Sequence, residues 1–154
     1  MREPVPRFPL FISLEGRPVL VVGGGMIAAR RTRVLLSFGA VVTVVAPEIS
    51  SDMQAILDCV TWQQQRYAAI DAAQGYVLVI AATNERSTNR QIGEDAVRRG
   101  IPVSVADCKE ESTFWFPAVV HSGELVAGMV SVTGNHGAVK KAAEKIKKCL
   151  EEAP

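Results

Sequence analysis

The fold is decided by the stretch Val19-Leu20-Val21-Val22-Gly23-Gly24-Gly25-Met26-Ile27-Ala28-Ala29-Arg30-Arg31, in which an apolar run enters three glycines and a helical pattern follows. This order is typical of a buried strand, a tight turn and the first turn of a helix. Gly23, Gly25 and Ala28 fit the G-x-G-x-x-G/A fingerprint of dinucleotide-binding folds. The first glycine permits the turn, the second lets a pyrophosphate approach the backbone, and Ala28 lets the helix lie close to the strand. The free N–H groups at the helix start would then face the phosphates.

A glycine turn of this kind also occurs without a ligand, as an ordinary connection between a strand and a helix. Two neighbouring features favour the ligand: the helical pattern runs cleanly to a stop at Gly39, and a second strand over 41–46 ends beside Glu48. An acidic residue about 20 residues beyond the glycines is placed to accept the ribose hydroxyls. Glu48 also repels a 2′-phosphate, and no arginine follows the second strand, so we predict NAD rather than NADP as the cofactor.

Composition excludes several classes of function. The chain has 154 residues, is 48% hydrophobic and carries a formal net charge of +1, which argues against broad binding to nucleic acid or to a membrane surface. Its apolar runs are far shorter than a membrane span. Cys59, Cys108 and Cys149 lie far apart, which predicts reduced thiols in a cytoplasmic protein. His121 and His136 share no helix face and have no neighbouring cysteine or carboxylate cluster, so we predict no metal site.

Strand and helix patterns alternate along most of the chain. A buried strand over 76–82, a helix over 87–99 and a strand over 101–106 follow the first two strands, which predicts an α/β fold with a Rossmann-type, doubly wound parallel sheet. Two β runs around 121–124 then predict a hairpin, and a lysine-rich helix runs from Ala138 to about Glu151. We therefore predict a dinucleotide-binding domain over 1–113 and a hairpin-plus-helix segment over 114–154, the start of a dimerisation or substrate region.

A set of motifs in fixed order resembles the precorrin-2 dehydrogenase family, the NAD-dependent part of siroheme synthase. The resemblance covers nearly the whole chain, and the ordered set is far more specific than any single motif. It is carried by Pro9-Leu10-Phe11, Gly16-Arg17, Val22-Gly23-Gly24-Gly25, Ala28-Ala29-Arg30-Arg31, the run Gly39 to Pro47, Ala81-Ala82-Thr83-Asn84, Val105-Ala106-Asp107 and Phe114-Trp115-Phe116-Pro117-Ala118.

The resemblance implies an activity and a set of site residues. Members of the family oxidise precorrin-2 to sirohydrochlorin with NAD, and some also insert iron. The resemblance assigns the key aspartate to Asp107, at the carboxyl end of a strand, where a carboxylate can accept or direct the proton released on oxidation. The alternative for Asp107 is a cap for the loop that follows. Cofactor contacts are expected from Gly23, Gly24, Gly25, Met26, Ile27, Pro47, Glu48 and Thr83, although Thr83 and Asn84 also suit helix capping.

The sequence departs from the family in two places. The family's serine-rich double-glycine turn before the last helix is replaced here by Ser131 to Ala138, which leaves the substrate contacts of that loop undecided. The family also continues with a helical segment that this chain lacks, so the chain is either a fragment or a short homologue that uses a partner, and iron insertion is left open.

Two functions remain open from the sequence. The first is an enzyme acting on a tetrapyrrole, and the second is a non-catalytic module that binds NAD or a tetrapyrrole and works with a partner protein. The hairpin within 114–132 is more apolar than a free surface hairpin should be, so we also predict a homodimer.

Overall fold

The computed structural model describes residues 2–153 and divides them into two compact units. One unit comprises residues 13–115, and the other combines residues 2–12 with residues 116–153.

The larger unit is built on a five-stranded parallel sheet. Its strand order is β3-β2-β1-β4-β5, so the chain moves outward from β1 in one direction and then returns to the other side of β1 with β4. Right-handed crossovers place the helices of the two halves on opposite faces of such a sheet. The predicted doubly wound α/β fold is confirmed. The strands are β1 Pro18–Val22, β2 Val41–Val45, β3 Thr61–Gln63, β4 Leu78–Ala81 and β5 Val103–Val105.

Helices α1 Met26–Ser37 and α3 Arg86–Arg98 pack on this sheet, and α2 Ser51–Gln54 packs on α1. Capping residues at 50–52 predict a short helix that carries Met53, Ile56 and Leu57, but the helix is shorter. It spans one turn, α2, capped by the Ser50 hydroxyl, and a separate 3₁₀ turn follows over Leu57–Cys59. A second 3₁₀ turn, Ala72–Gln74, is capped by Asp71 and ends at Gly75 in the left-handed conformation, as its sequence predicts.

The core lies on both faces of the sheet. Leu20 and Val22 of β1 pack in one cluster with Ile92 and Ala96 of α3. Successive strand residues point to opposite faces of the sheet, so Val19 and Val21, which are also buried, point to the face that carries α1. Because the central strands are buried on both faces, they appear in the sequence as continuous apolar runs.

The apolar pattern of α1 and α3 predicts their buried faces in part. Leu35 of α1 and Ile92 and Ala96 of α3 are buried, as the pattern predicts. Ile27 and Val97 belong to the same predicted faces, but they are 47% and 54% exposed. The residues that do pack inward on α1 include Ala28, Ala29 and Thr32. Small residues let this helix lie close to the sheet, so the larger Ile27 falls on the outer side.

The smaller unit contains an antiparallel hairpin and one long helix. Strands β6 Ala118–Ser122 and β7 Leu125–Met129 pair in register, and α4 His136–Glu151 packs mainly on β6. Pairing begins after Pro117, which has no N–H to donate, so the hairpin is shorter than predicted. Within residues 2–153, no helix is both long and apolar enough to span a membrane.

Candidate functional site

A cleft of about 490 Å³ opens at the carboxyl ends of β1, β2 and β4 in the larger unit. In open parallel sheets this edge, beside the strand where the chain reverses direction, is where ligands bind. The cleft is lined by the glycine turn (22–25), the segment after β2 (45–50), Arg66 and Tyr67, the segment after β4 (82–85) and Thr88.

The three glycines of the turn have different surroundings. Gly23 has φ +125°, and a Cβ added there would lie 2.1 Å from the carbonyl oxygen of Ala82. A Cβ on Gly24 would lie 2.2 Å from the carbonyl oxygen of Glu48. A Cβ on Gly25 meets no atom within 4 Å. The first two glycines therefore allow backbone segments to touch, and the third leaves the cleft side of the turn open.

The amino terminus of α1 has unused donors on this open side. Gly25 is the N-cap residue, and among the described residues no side chain caps the helix and no acidic residue lies in its first turn. The first N–H groups of a helix have no partner within the helix itself. Together with the open face of Gly25, this end of α1 fits the diphosphate of a dinucleotide, which would lie against the backbone amides.

The segment after β2 is fixed against the glycine turn. The Ser50 N–H donates to the carbonyl of Gly24 at 2.8 Å, and the Gly23 N–H donates to the carbonyl of Val45 at 2.9 Å. These bonds hold Pro47 and Glu48 on the wall of the cleft next to the glycines. Glu48 is exposed, so its carboxylate is available to a ligand.

A buried asparagine of α3 holds the segment after β4. Asn89 has no exposed surface, and its Oδ1 accepts hydrogen bonds from the N–H and the hydroxyl of Thr83 at 2.9 and 2.7 Å. Its Nδ2 donates to the Thr83 carbonyl at 3.0 Å. Thr83 in turn accepts a bond from the Glu85 N–H at 3.2 Å. Asn89 is therefore a positioning residue, because it fixes Thr83 and Thr83 lines the cleft.

Arg66 and Glu85 form an ion pair on the wall of the cleft, with an N–O distance of 3.0 Å. The second carboxylate oxygen of Glu85 accepts from the Thr88 hydroxyl at 2.9 Å. The Thr88 hydrogen bond, and then Arg66, hold the pKa of Glu85 below its ordinary value. Tyr67, the next residue, donates a hydrogen bond of 2.6 Å from its hydroxyl to Asp95. Burial and this hydrogen bond raise the pKa of Tyr67.

Asp107 follows β5 at the same edge of the sheet. Its carboxylate is ion-paired with Arg86, the first residue of α3, and the other side of the same guanidinium is paired with Glu111. The loop that carries both acids is fastened to β5, because the Ser112 hydroxyl accepts from the Val105 N–H at 2.9 Å. Asp107 is exposed, and it does not line the cleft.

The structure brings most of the predicted cofactor residues together. Gly23, Gly24, Gly25, Pro47, Glu48 and Thr83 line the cleft, whereas Met26 and Ile27 stand just beyond it at the exposed start of α1. The contacts of all these residues with a cofactor stay predictions, as does the role of Asp107. Sequence reasoning missed two sets of residues. Asn89 was detectable as a polar residue on the buried face of α3, but the Arg66–Glu85 pair leaves no periodic signal.

Fold and cleft together define a dinucleotide-binding α/β domain. A family model described as "Putative NAD(P)-binding" matches residues 10–118. The chain belongs to this NAD(P)-binding family.

Individual relatives give the context of the family. The chain is 49% identical over 145 residues to the "Probable multifunctional siroheme biosynthesis protein HemA" of Ruminiclostridium josui, covering 92% of this chain and 28% of that protein. It is 43% identical over 123 residues to a siroheme synthase of Ectopseudomonas mendocina, covering 80% of this chain and 26% of that protein. The resemblance predicted from the motifs is confirmed, and the chain spans about a quarter of the length of these relatives.

A solved structure shows the same fold. The structure titled "SirC, precorrin-2 dehydrogenase" superposes with a TM-score of 0.74, covering 93% of this chain and 71% of that one at 24% sequence identity. The match extends over both units of the chain, including the hairpin and α4.

Proposed function

We propose that this chain binds NAD in the cleft and uses it to oxidise precorrin-2 to sirohydrochlorin, in siroheme or cobalamin biosynthesis. The observation that carries the proposal is the uncapped start of α1 beside the open face of Gly25, a surface suited to a diphosphate. The names of the relatives supply the tetrapyrrole substrate and the reaction. NAD is preferred over NADP in this proposal because Glu48 lines the cleft at the end of β2.

The residues of the chain divide the work. Bound NAD would supply the chemistry by accepting a hydride from the substrate. The amides at the start of α1 hold the diphosphate, Glu48 accepts the ribose hydroxyls, and Thr83, fixed by Asn89, borders the part of the cleft next to β4. Asp107 follows the neighbouring strand β5 and receives or directs the proton that leaves the macrocycle. Arg86 keeps this carboxylate in one position by pairing with it.

The role of Asp107 is tested by a matched pair of variants. Asp107→Asn keeps the shape of the side chain and removes the carboxylate, and Glu111→Gln removes the other carboxylate that pairs with Arg86. We expect Asp107→Asn to lower turnover by about 100-fold or more, the usual contribution of a general acid or base. NAD affinity should stay within about two-fold in both variants, and Glu111→Gln should retain most of the turnover. The assay follows NADH formation with enzymatically made precorrin-2.

The same experiment decides between the enzyme and a non-catalytic binding module. A wild-type protein that binds NAD but forms no NADH from precorrin-2 would favour the module. If Asp107→Asn and Glu111→Gln lowered turnover equally, the loop and not the Asp107 carboxylate would be responsible, and the capping role of Asp107 would be preferred.

We further propose that the chain forms a homodimer in the cytoplasm. Leu125, Val126 and Val130, in β7 and just after it, are 50%, 37% and 37% exposed, which is unusual for three neighbouring apolar residues. The cytoplasm is supported by Cys59, Cys108 and Cys149, all free thiols. Light scattering at high protein concentration tests the dimer, and a monomeric mass would contradict it.

A further inference from the structure

Arg66 places a cation in the dinucleotide cleft. The sequence argument for NAD rests on Glu48 and on the lack of an arginine just after β2. The structure brings an arginine to the same cleft from a different element, the loop that leaves β3. An arginine near the adenosine ribose is the group that accommodates the 2′-phosphate of NADP.

Strand register puts the backbone of the loop that carries Arg66 beside the segment that carries Glu48. Val45 at the end of β2 pairs with Gln63 at the end of β3. Glu48 and Arg66 therefore stand the same number of residues beyond a paired position on adjacent strands, which lie about 4.8 Å apart. A hydrogen bond of 3.5 Å from the Gln64 side chain to the Pro47 carbonyl ties the two segments together.

Glu85 forms an ion pair with this arginine. The carboxylate of Glu85 pairs with Arg66 through one oxygen and accepts the Thr88 hydroxyl through the other, so both oxygens are engaged. All three side chains line the cleft, and they join the loop after β3 to the start of α3. The pair is exposed, with 76% of the Arg66 side chain and 55% of the Glu85 side chain accessible, so a ligand can compete for the guanidinium.

We propose that Glu85 is a specificity-determining residue, which weakens NADP binding by pairing with Arg66 and so denies the 2′-phosphate its cation. A 2′-phosphate entering the cleft must either separate Arg66 from Glu85 or approach the Glu85 carboxylate, and both are unfavourable. NAD has hydroxyls at this position and makes no such demand. The inference deepens the proposed preference for NAD and rests on it.

The test measures NAD⁺ and NADP⁺ binding by calorimetric titration of the wild-type chain, Glu85→Gln, Arg66→Ala and the double variant. Glutamine keeps the size of the side chain and can still accept the Thr88 hydroxyl. We expect Glu85→Gln to tighten NADP⁺ binding about five-fold, the upper range for an exposed ion pair, and to change NAD⁺ binding less than two-fold. Arg66→Ala should not tighten NADP⁺ binding, and the double variant should lose the gain of Glu85→Gln.

Glu94→Gln is the matched control. Glu85 is the N-cap residue of α3, and Glu94 lies within that helix, where it pairs with Arg90 outside the cleft. Glu94→Gln removes the same charge and should leave both affinities unchanged. The proposal is overturned if Glu85→Gln does not tighten NADP⁺ binding, if it tightens both coenzymes equally, or if the gain persists without Arg66. Tighter binding of NADP⁺ than NAD⁺ by the wild-type chain would instead contradict the proposed cofactor preference, so the two failures are distinguishable.

Discussion

Gly23 and Gly25 are two residues apart, yet a substitution by alanine should have a different effect at each position. At Gly23 the new Cβ meets the Ala82 backbone, and φ +125° is a conformation that L-residues rarely adopt. At Gly25 the new Cβ points into open space, and φ −81° suits alanine. We therefore expect Gly23→Ala to damage the fold and Gly25→Ala to damage only cofactor binding.

The structure gives the size of each effect. The 2.1 Å contact at Gly23 must lengthen by about an ångström, which strains the hydrogen bonds from the Gly23 N–H to Val45 and from the Ala82 N–H to Val22. With about 1–3 kcal/mol for the disallowed backbone and about 1 kcal/mol for a weakened hydrogen bond, Gly23→Ala should lose roughly 3 kcal/mol of stability. For a chain of this length that is a fall in Tm of roughly 6–12 °C.

Gly25→Ala should be nearly neutral for stability. Alanine is a poorer N-cap than glycine, but it restricts the unfolded chain, and the two effects offset each other to within about 1 kcal/mol. The methyl group instead occupies the surface where the diphosphate approaches the α1 amides. Hydrogen bonds to a charged group are worth about 1.5–3 kcal/mol, so losing one weakens NAD binding by about ten-fold or more.

Two measurements check the pair. Thermal unfolding of the ligand-free protein, followed by circular dichroism, should separate Gly23→Ala from the wild type and leave Gly25→Ala close to it. Calorimetric titration with NAD should show the binding defect of Gly25→Ala in a protein that is still folded. Equal melting of Gly23→Ala and the wild type would refute the contact argument, and full NAD affinity in Gly25→Ala would refute the placement of the diphosphate on α1.

Two further predictions concern the groups around the cleft. Asn89→Leu leaves the Thr83 N–H, hydroxyl and carbonyl without their buried partner and should lower the free energy of unfolding by about 2–4 kcal/mol in urea denaturation; an unchanged midpoint would contradict this. The pKa of Tyr67 is raised on folding, so its contribution to stability is complete below the unfolded pKa of about 10 and is lost as the pH rises above it. Above about pH 10, the Tm of Tyr67→Phe should therefore fall less steeply with rising pH than the Tm of the wild type. Parallel curves of Tm against pH would contradict the raised pKa of Tyr67.

The fold was predictable because its strands are buried on both faces. Each residue of Leu78–Ala81 is buried, and such a strand shows itself as an unbroken apolar run between turn residues. Helix faces were less predictable. Val97 has the apolar character of a core residue but is 54% exposed, because the face of α3 is set by Asn89, Ile92, Gly93 and Ala96. Gly93 belongs there since a Cβ would lie 3.1 Å from the Val105 side chain.

The same physical reason separates the predictable and unpredictable parts of the cleft. Glu48 and Thr83 lie within three residues of the ends of apolar strands, and all parallel strands end at one edge, so the sequence alone predicts that these residues meet. Arg66 lies in a loop whose path depends on Tyr67 packing beside the core and bonding to Asp95, and neither contact has a sequence period. A substitution at Arg66 or Glu85 would change the charge of this cleft wall without any change in the glycine fingerprint. We therefore expect the Arg66–Glu85 pair, as well as the residues that follow β2, to affect the choice between NAD and NADP.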